Sequence, residues 1–306
     1  MPRPIAPVLF LLILLLSLIA PTWSGARSTS GYQALFDGRA SRMKSIDPLG
    51  GSGHQEQQPF VWDCLCYVHG NVKLVPDSRY GKAYRYSTDG SSWNGFGYDP
   101  GPNGGTSDLG QWRPQGLGRW DWYALAVKIP HSWRQPTWAL LCEINFPAWT
   151  SPPEGVDVSP RQQNGSYCWT YSRRCRSWFD LIRNVGSVSS ISREHHWLQP
   201  VQFGKWTEFV IGIKWENGNT GAYQVYTRVP ARGRSFTLDA SASGVDTYQT
   251  NAGTPPPART VDLQFLYEGT EPSNGWPSPL WRNTVYHRGF QRFTTKAAAF
   301  AAFGRH

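Results

Sequence analysis

The segment from Trp206 to Phe290 constrains the fold more than any other part of the chain. W-T-E-F-V-I-G-I-K-W runs into E-N-G-N-T-G and returns as A-Y-Q-V-Y-T-R-V. Two β-branched and aromatic runs joined by a short Asn/Gly-rich turn read as an antiparallel hairpin. V-D-L-Q-F-L-Y-E-G and N-T-V-Y-H-R-G-F follow as further strands. Similar signals lie upstream in P-F-V-W-D-C-L-C-Y-V, G-K-A-Y-R-Y-S, W-D-W-Y-A-L-A-V-K-I-P, W-A-L-L-C-E-I-N-F-P and W-F-D-L-I-R-N-V. No helical pattern of useful length precedes K-A-A-A-F-A-A-F, which reads as a last short helix or an apolar tail. There is no internal repeat. Many short strands punctuated by Gly and Pro predict an all-β chain, a two-sheet antiparallel sandwich or jelly roll.

The first residues read as a targeting segment. Met1 to Pro7 carries one cation, Arg3, and Val8 to Ala20 is almost wholly apolar. Ser24 and Ala26 follow in an A-x-A-like pattern, so residues 1–26 are expected to be a secretory signal peptide. The alternative, a membrane anchor, asks for roughly 18 apolar residues, more than this run supplies. A secreted protein with no membrane segment in its mature form is therefore expected. Residues 27–60 are polar without clear periodicity and read as a lead-in, and residues 61–306 as one domain. Within it, Asp89–Gly118 reads as a long Gly-rich loop, and residues 148–176 as a polar insertion.

Composition narrows the partner. The net charge is +9, with the cations scattered along the chain. Outside a cell such a field suits polyanions, acidic polysaccharide above all, unless it serves only solubility. No nucleic-acid partner is expected. Sixteen Trp residues supply rings that fill a core or stack on sugars. The five cysteines are an odd number. Cys168 and Cys175 flank a short polar loop and are the expected pair in an exported protein. Cys64 and Cys66 share a strand face, and one of them is within the expected reach of Cys142, which leaves at least one thiol over. No metal-ligand spacing is present. No acidic loop marks a Ca²⁺ site, although the chain is compatible with one, so no cofactor is identified.

Strand parity assigns faces. In Leu140–Phe146, Glu143 and Asn145 share one face, while Cys142, Ile144 and Phe146 share the other. The apolar trio is expected to face the core and the polar pair a cleft. Leu263, Phe265 and Tyr267 share a face of a later strand, with Gln264 and Glu268 opposite. A glycoside hydrolase needs two paired carboxylates, and E-I-N-F-P offers no second acid. No G-x-S-x-G, P-loop or H-E-x-x-H motif appears. N-G-S at Asn164 is a glycosylation sequon.

In their order, these segments resemble the heparin-lyase-I-like polysaccharide lyases and, more distantly, the alginate lyases. The resemblance runs from Tyr80 to Phe300 and rests on W-Y-A-L-A-V-K-I-P-H-S-W, the Trp206 hairpin, D-L-Q-F-L-Y-E-G and N-T-V-Y-H-R-G-F. It implies a concanavalin-A-like β-jelly roll that cleaves a uronate-containing polysaccharide by β-elimination. That chemistry needs a group to neutralise the carboxylate, a base, and an acid for the leaving oxygen. By position, Tyr267 matches the tyrosine that acts as acid and sometimes also as base. Glu143 and Asn145 stand where alginate lyases carry a Gln-x-His pair. Asn145 can hydrogen-bond a carboxylate, and Glu143 would help only when protonated. The Arg-x-Glu-Leu strand of those enzymes aligns with Thr106–Leu109, where the Arg is absent. His287 is a further candidate for proton transfer, as are His195 and His196, expected in a polar loop over the cleft. Lys214, Arg288, Trp206 and Tyr286 complete the expected substrate-binding set. The alternative is a non-catalytic, lectin-like carbohydrate-binding jelly roll, with a glycoside hydrolase a more remote reading.

Overall fold

The computed structural model describes residues 36–42, 55–57, 60–62, 72–87, 107–114, 117–145, 154–170, 172–187, 190–216, 219–233, 235–247, 259–269 and 283–304. The expected signal peptide, Cys64, Cys66 and most of Asp89–Gly118 lie outside the described residues. The strands are β1 (Phe36–Asp37), β2 (Gln55–Gln57), β3 (Phe60–Trp62), β4 (Val72–Asp77), β5 (Gly81–Ser87) and β6 (Ser107–Pro114). Next come β7 (Trp120–Lys128), β8 (Trp138–Asn145), β9 (Glu154–Arg161), β10 (Arg176–Ser187) and β11 (Ser190–Pro200). The last are β12 (Trp206–Lys214), β13 (Gly221–Arg228), β14 (Thr237–Val245), β15 (Arg259–Gly269), β16 (Thr284–His287) and β17 (Gln291–Phe293), followed by helix α1 (Lys296–Ala301).

Two antiparallel sheets result, as the sequence predicts. Among the described residues one has nine strands, ordered β14-β13-β12-β7-β16-β5-β4, with β17 paired to β7 and to β1. The other has eight, ordered β11-β10-β9-β8-β15-β6-β3-β2. Pro76 lies in β4, the end strand of its row, where a missing N–H breaks no ladder.

The core lies between the sheets. Tyr123, Leu125, Phe209 and Ile211 from one side meet Leu141, Val156, Val158, Phe179 and Leu181 from the other. A second apolar layer covers the far side of the nine-stranded sheet: Trp122, Ala124, Ala126, Trp206 and Val210 pack under Ala298, Ala299 and Phe303. Strands β7 and β12 are therefore buried on both faces, which is why they read as continuous apolar runs. Gly212 makes this layer possible, because a Cβ there would sit 2.5 Å from the Trp122 ring. K-A-A-A-F-A is a helix, started by the Thr295 hydroxyl accepting from the Ala298 N–H at 3.3 Å.

Three segments differ from the sequence reading. The polar lead-in contributes β1, which pairs Phe36 with Arg292 and Asp37 with Gln291, and Ala40 is buried in the core. Its pairing runs through the backbone, as in Gly38 N–H to Phe290 O at 3.0 Å, so no apolar pattern marks it. The Gly-rich stretch contains β6, held by an eight-residue register with β15. The expected insertion contains β9, a central strand of its sheet. Its apolar signal is only Val156 and Val158, because the intervening Asp157 and Ser159 are buried polar residues.

Candidate functional site

On β9, β10 and β11 the outward face of the eight-stranded sheet carries polar and aromatic groups. On β9 and β10, Val156, Val158, Phe179 and Leu181 point into the core, so Asp157, Ser159, Arg161, Trp178 and Asp180 face outward. On β11, Leu198 is in the core and His195 and Trp197 are outward. His196 points the other way, its Nε2 3.0 Å from the Tyr223 hydroxyl. The polar loop expected at His195 and His196 is thus a strand, and the two imidazoles belong to opposite faces.

Asp180 is fully buried, and its Oδ2 lies 2.5 Å from His195 Nδ1. Burial pushes the Asp180 carboxyl above the usual range, against the pull of His195 and Ser159. When Asp180 is ionised, His195 Nδ1–H donates to it, which fixes the imidazole plane. Nε2 has no hydrogen-bond partner among the described residues.

A loop closes over this pair. The Cys168–Cys175 disulfide expected from the sequence is present, and the Cys168 N–H donates to Pro160 O at 2.9 Å. The Tyr167 hydroxyl donates to Thr137 O at 2.5 Å. Its ring centroid lies 4.9 Å from His195 and 4.6 Å from Trp169. Trp197 stacks on His195 at 5.8 Å. The Arg161 guanidinium lies 4.2 Å from the Trp178 ring and 5.2 Å from Trp197, and its Nε donates to Gly165 O at 3.1 Å. Trp169 remains 61 % exposed at the loop surface.

The three sheet residues of the expected catalytic set lie on neighbouring strands of this same sheet. Tyr267 is on β15 and Glu143 and Asn145 are on β8, with Leu263 opposite Glu143 and Val261 opposite Asn145. Tyr267 pairs with Leu140, Leu140 with Asp157, Asp157 with Asp180, and Asp180 with Trp197. These five residues form one transverse row across five strands.

The other five expected residues lie on the nine-stranded sheet. His287 is buried between the sheets, 4.9 Å from the Tyr86 ring. Arg288 is buried beside Tyr80 and Phe303, and its Nη2 donates to Gln291 Oε1 at 2.6 Å. Burial lowers its pKa to about 10. Lys214 Nζ lies 3.3 Å from Glu216. Trp206 and Tyr286 flank Lys128, whose Nζ is 4.8 Å from each ring. Lys128 donates to Asp77 at 2.8 Å and the Trp206 indole N–H to the same oxygen at 3.2 Å. Among the described residues no group of three His, Cys, Asp or Glu is placed to hold a metal, and no helix is long and apolar enough to cross a membrane.

The Asp77 cluster supports a pH prediction. Burial alone would raise the Asp77 pKa, but bonds from Lys128 and from the Tyr80 and Arg79 N–H groups outweigh it, so the net shift is downward. A depressed carboxylate stabilises the fold above its unfolded pKa of about 3.9, and this contribution is lost as pH falls through the folded value. Asp77→Asn is expected to lower Tm at neutral pH and to flatten the loss of Tm below about pH 4. Thermal unfolding from pH 2 to 7 checks this; parallel profiles for the two proteins would refute it.

Sequence reading missed Asp180, Arg161, Tyr167, Trp169 and Trp197. Parity within W-F-D and H-H-W places Trp178 with Asp180 and His195 with Trp197, and was the available signal.

No protein-family model matches the chain, and no curated protein matches its sequence. Solved structures do match. An endo-β-1,4-glucuronan lyase from the fungus Trichoderma reesei superposes with a TM-score of 0.50 at 15% identity, covering 74% of this chain and 88% of that one. The marine PL-14 alginate lyase from Aplysia kurodai gives 0.44 at 12% identity, covering 74% and 87%. An alginate lyase from a Chlorella virus gives 0.39 at 13% identity, covering 73% and 90%. The likeness to the glucuronan lyase is one of fold: a two-sheet antiparallel jelly roll.

Proposed function

We propose that this chain is a secreted polysaccharide lyase, of the broad jelly-roll kind that takes in the heparin-lyase-I-like and alginate lyases, and that it cleaves a uronate-containing polysaccharide by β-elimination. The observation that carries the reading is the transverse row of paired residues from Tyr267 to Trp197, across five strands of one sheet in a fold shared with a glucuronan lyase. A polymer lying along this row crosses the strands and meets acid–base, aromatic and cationic groups in sequence.

The reaction removes the proton on the carbon beside the uronate carboxylate. The electron pair forms a carbon–carbon double bond, the glycosidic C–O bond breaks, and the leaving oxygen takes a proton. Tyr267 is assigned the role of acid and base, and Asn145 that of a hydrogen-bond donor to the carboxylate. Glu143, on the same strand, takes part only in its protonated form. Positioned proton transfer of this kind contributes about 10²–10⁴-fold.

The test is direct. Incubated with polyglucuronate, alginate and heparin-type polymers, the protein is expected to generate the ultraviolet absorbance of an unsaturated uronate with at least one of them. Binding without absorbance on any of them overturns the lyase and leaves a lectin-like module. That second reading is favoured by one observation, the exposed Trp169 on a cross-linked loop, which suffices to hold a sugar without cutting it.

A further inference from the structure

We infer that the outward face of β9–β11, together with the Cys168–Cys175 loop, is a binding subsite for an acidic sugar unit several units along the polymer from Tyr267. The inference rests on the reading that the ligand is a uronate polymer, and it concerns binding rather than cleavage. Three observations carry it.

Trp169 is the only strongly exposed aromatic side chain among the described residues. It follows a fully buried half-cystine and packs against Tyr167, which is itself bonded to Thr137. A large indole held in water on a closed loop is poised to stack on the apolar face of a sugar ring, with little ordering cost on binding.

Arg161 is the second. Its guanidinium packs against Trp178 and Trp197 and is fixed by the bond to Gly165 O. No acidic side chain pairs with it among the described residues. A planar, aromatic-packed cation without a carboxylate partner matches a carboxylate-bearing ligand. His195 adds a directed imidazole nitrogen at the same place, because Asp180 holds its other nitrogen.

The third is spacing. Tyr267 and Trp197 are four strand intervals apart in the transverse row. At about 4.8 Å per interval this is about 19 Å, too far for one sugar ring to touch both and a span that several linked rings fill. Affinity should therefore step up once an oligomer is long enough to reach from one end to the other.

The experiment is isothermal titration of the Tyr267→Phe protein, whose turnover is expected to be slowed at least 100-fold, with glucuronate oligomers from dimer to octamer and with neutral cello-oligomers of the same lengths. The expected result is a step in affinity for acidic oligomers at intermediate length. Trp169→Ala should remove that step and weaken octamer binding about tenfold. Arg161→Gln should weaken the acidic octamer to a similar degree and leave the neutral oligomers unchanged. Trp169 is at the surface, and circular dichroism with Tm verifies that both variants fold. Octamer affinities within about twofold of the parent for both folded variants overturn the subsite. Equal weakening of acidic and neutral oligomers by Arg161→Gln overturns its acidic character. Failure of the lyase reading is seen separately, as intact binding by the unmutated protein with no unsaturated product.

Discussion

Glu208→Ala is expected to destabilise the sandwich by about 3 kcal/mol. The carboxylate is fully buried on the helix-covered side of the nine-stranded sheet, yet it has three partners. Arg228 Nε donates at 2.6 Å, Tyr80 Oη at 2.7 Å and Arg79 Nη2 at 3.0 Å. Arg228 stands directly opposite Glu208 in the β12–β13 register, so the sheet itself fixes one contact. Arg79 and Tyr80 come from the turn between β4 and β5, so the carboxylate also ties that hairpin to the middle of the sheet. Removing it leaves two guanidinium groups converging on an apolar void, a penalty larger than the loss of three bonds to solvent. Both arginines keep some exposure, which holds the estimate at the low end of the range for broken buried pairs. Urea unfolding should show a lower midpoint with an unchanged m-value. Glu208→Gln, which preserves shape and one acceptor, should lose about half as much. A midpoint shift equivalent to less than about 0.5 kcal/mol for the alanine variant would place Glu208 among ordinary surface residues.

How much of this was legible in the sequence depended on what each strand buries. The Trp206 hairpin was readable because β12 is apolar on both faces and β13 alternates without interruption. Strands β9 and β11 were not readable. The outward face of β9 buries Asp157 and Ser159, which bond to each other, to the Ala139 N–H and to their neighbours instead of to water. Sequence patterns record polarity and not burial, so a strand with a buried polar face resembles a loop. Register on β8 is a separate matter. Between Leu140 and Cys142 the β8–β9 register shifts, and both Leu141 and Cys142 are buried in the core. Beyond that bulge the register runs without a shift through Cys142, Glu143 and Ile144, opposite Val156, Gly155 and Glu154. A second shift falls between Gln264 and Tyr267 on β15. Sheet-forming residues are easier to find in a sequence than the surroundings of polar ones. His287 and Arg288 illustrate the same limit: their types suggest chemistry, while their positions are buried in the nine-stranded sheet.

Under the proposed elimination, Tyr267→Phe is expected to lower kcat at least 100-fold, the lower bound for loss of a positioned proton donor of about 10²–10⁴-fold. The substitution removes one hydroxyl and keeps the ring, so the affinity for polymer should change little. That split separates an acid–base role from a binding role, because a residue that only held substrate would raise KM and spare kcat. The placement of Tyr267 favours the former. It lies on β15, between β8 and β6, near the middle of the sheet, opposite Leu140. The aromatic and cationic groups suited to holding sugar are instead gathered at β9–β11, toward one edge. A division between a central proton-transfer position and a lateral grip lets binding energy from remote sugar units align the bond to be broken. Initial rates of unsaturated-product formation across polymer concentrations measure both parameters. An unchanged kcat would remove Tyr267 from the mechanism. It would also move the reaction centre toward His195 and Asp180, an acid–base pair already joined on the outward face of β10 and β11.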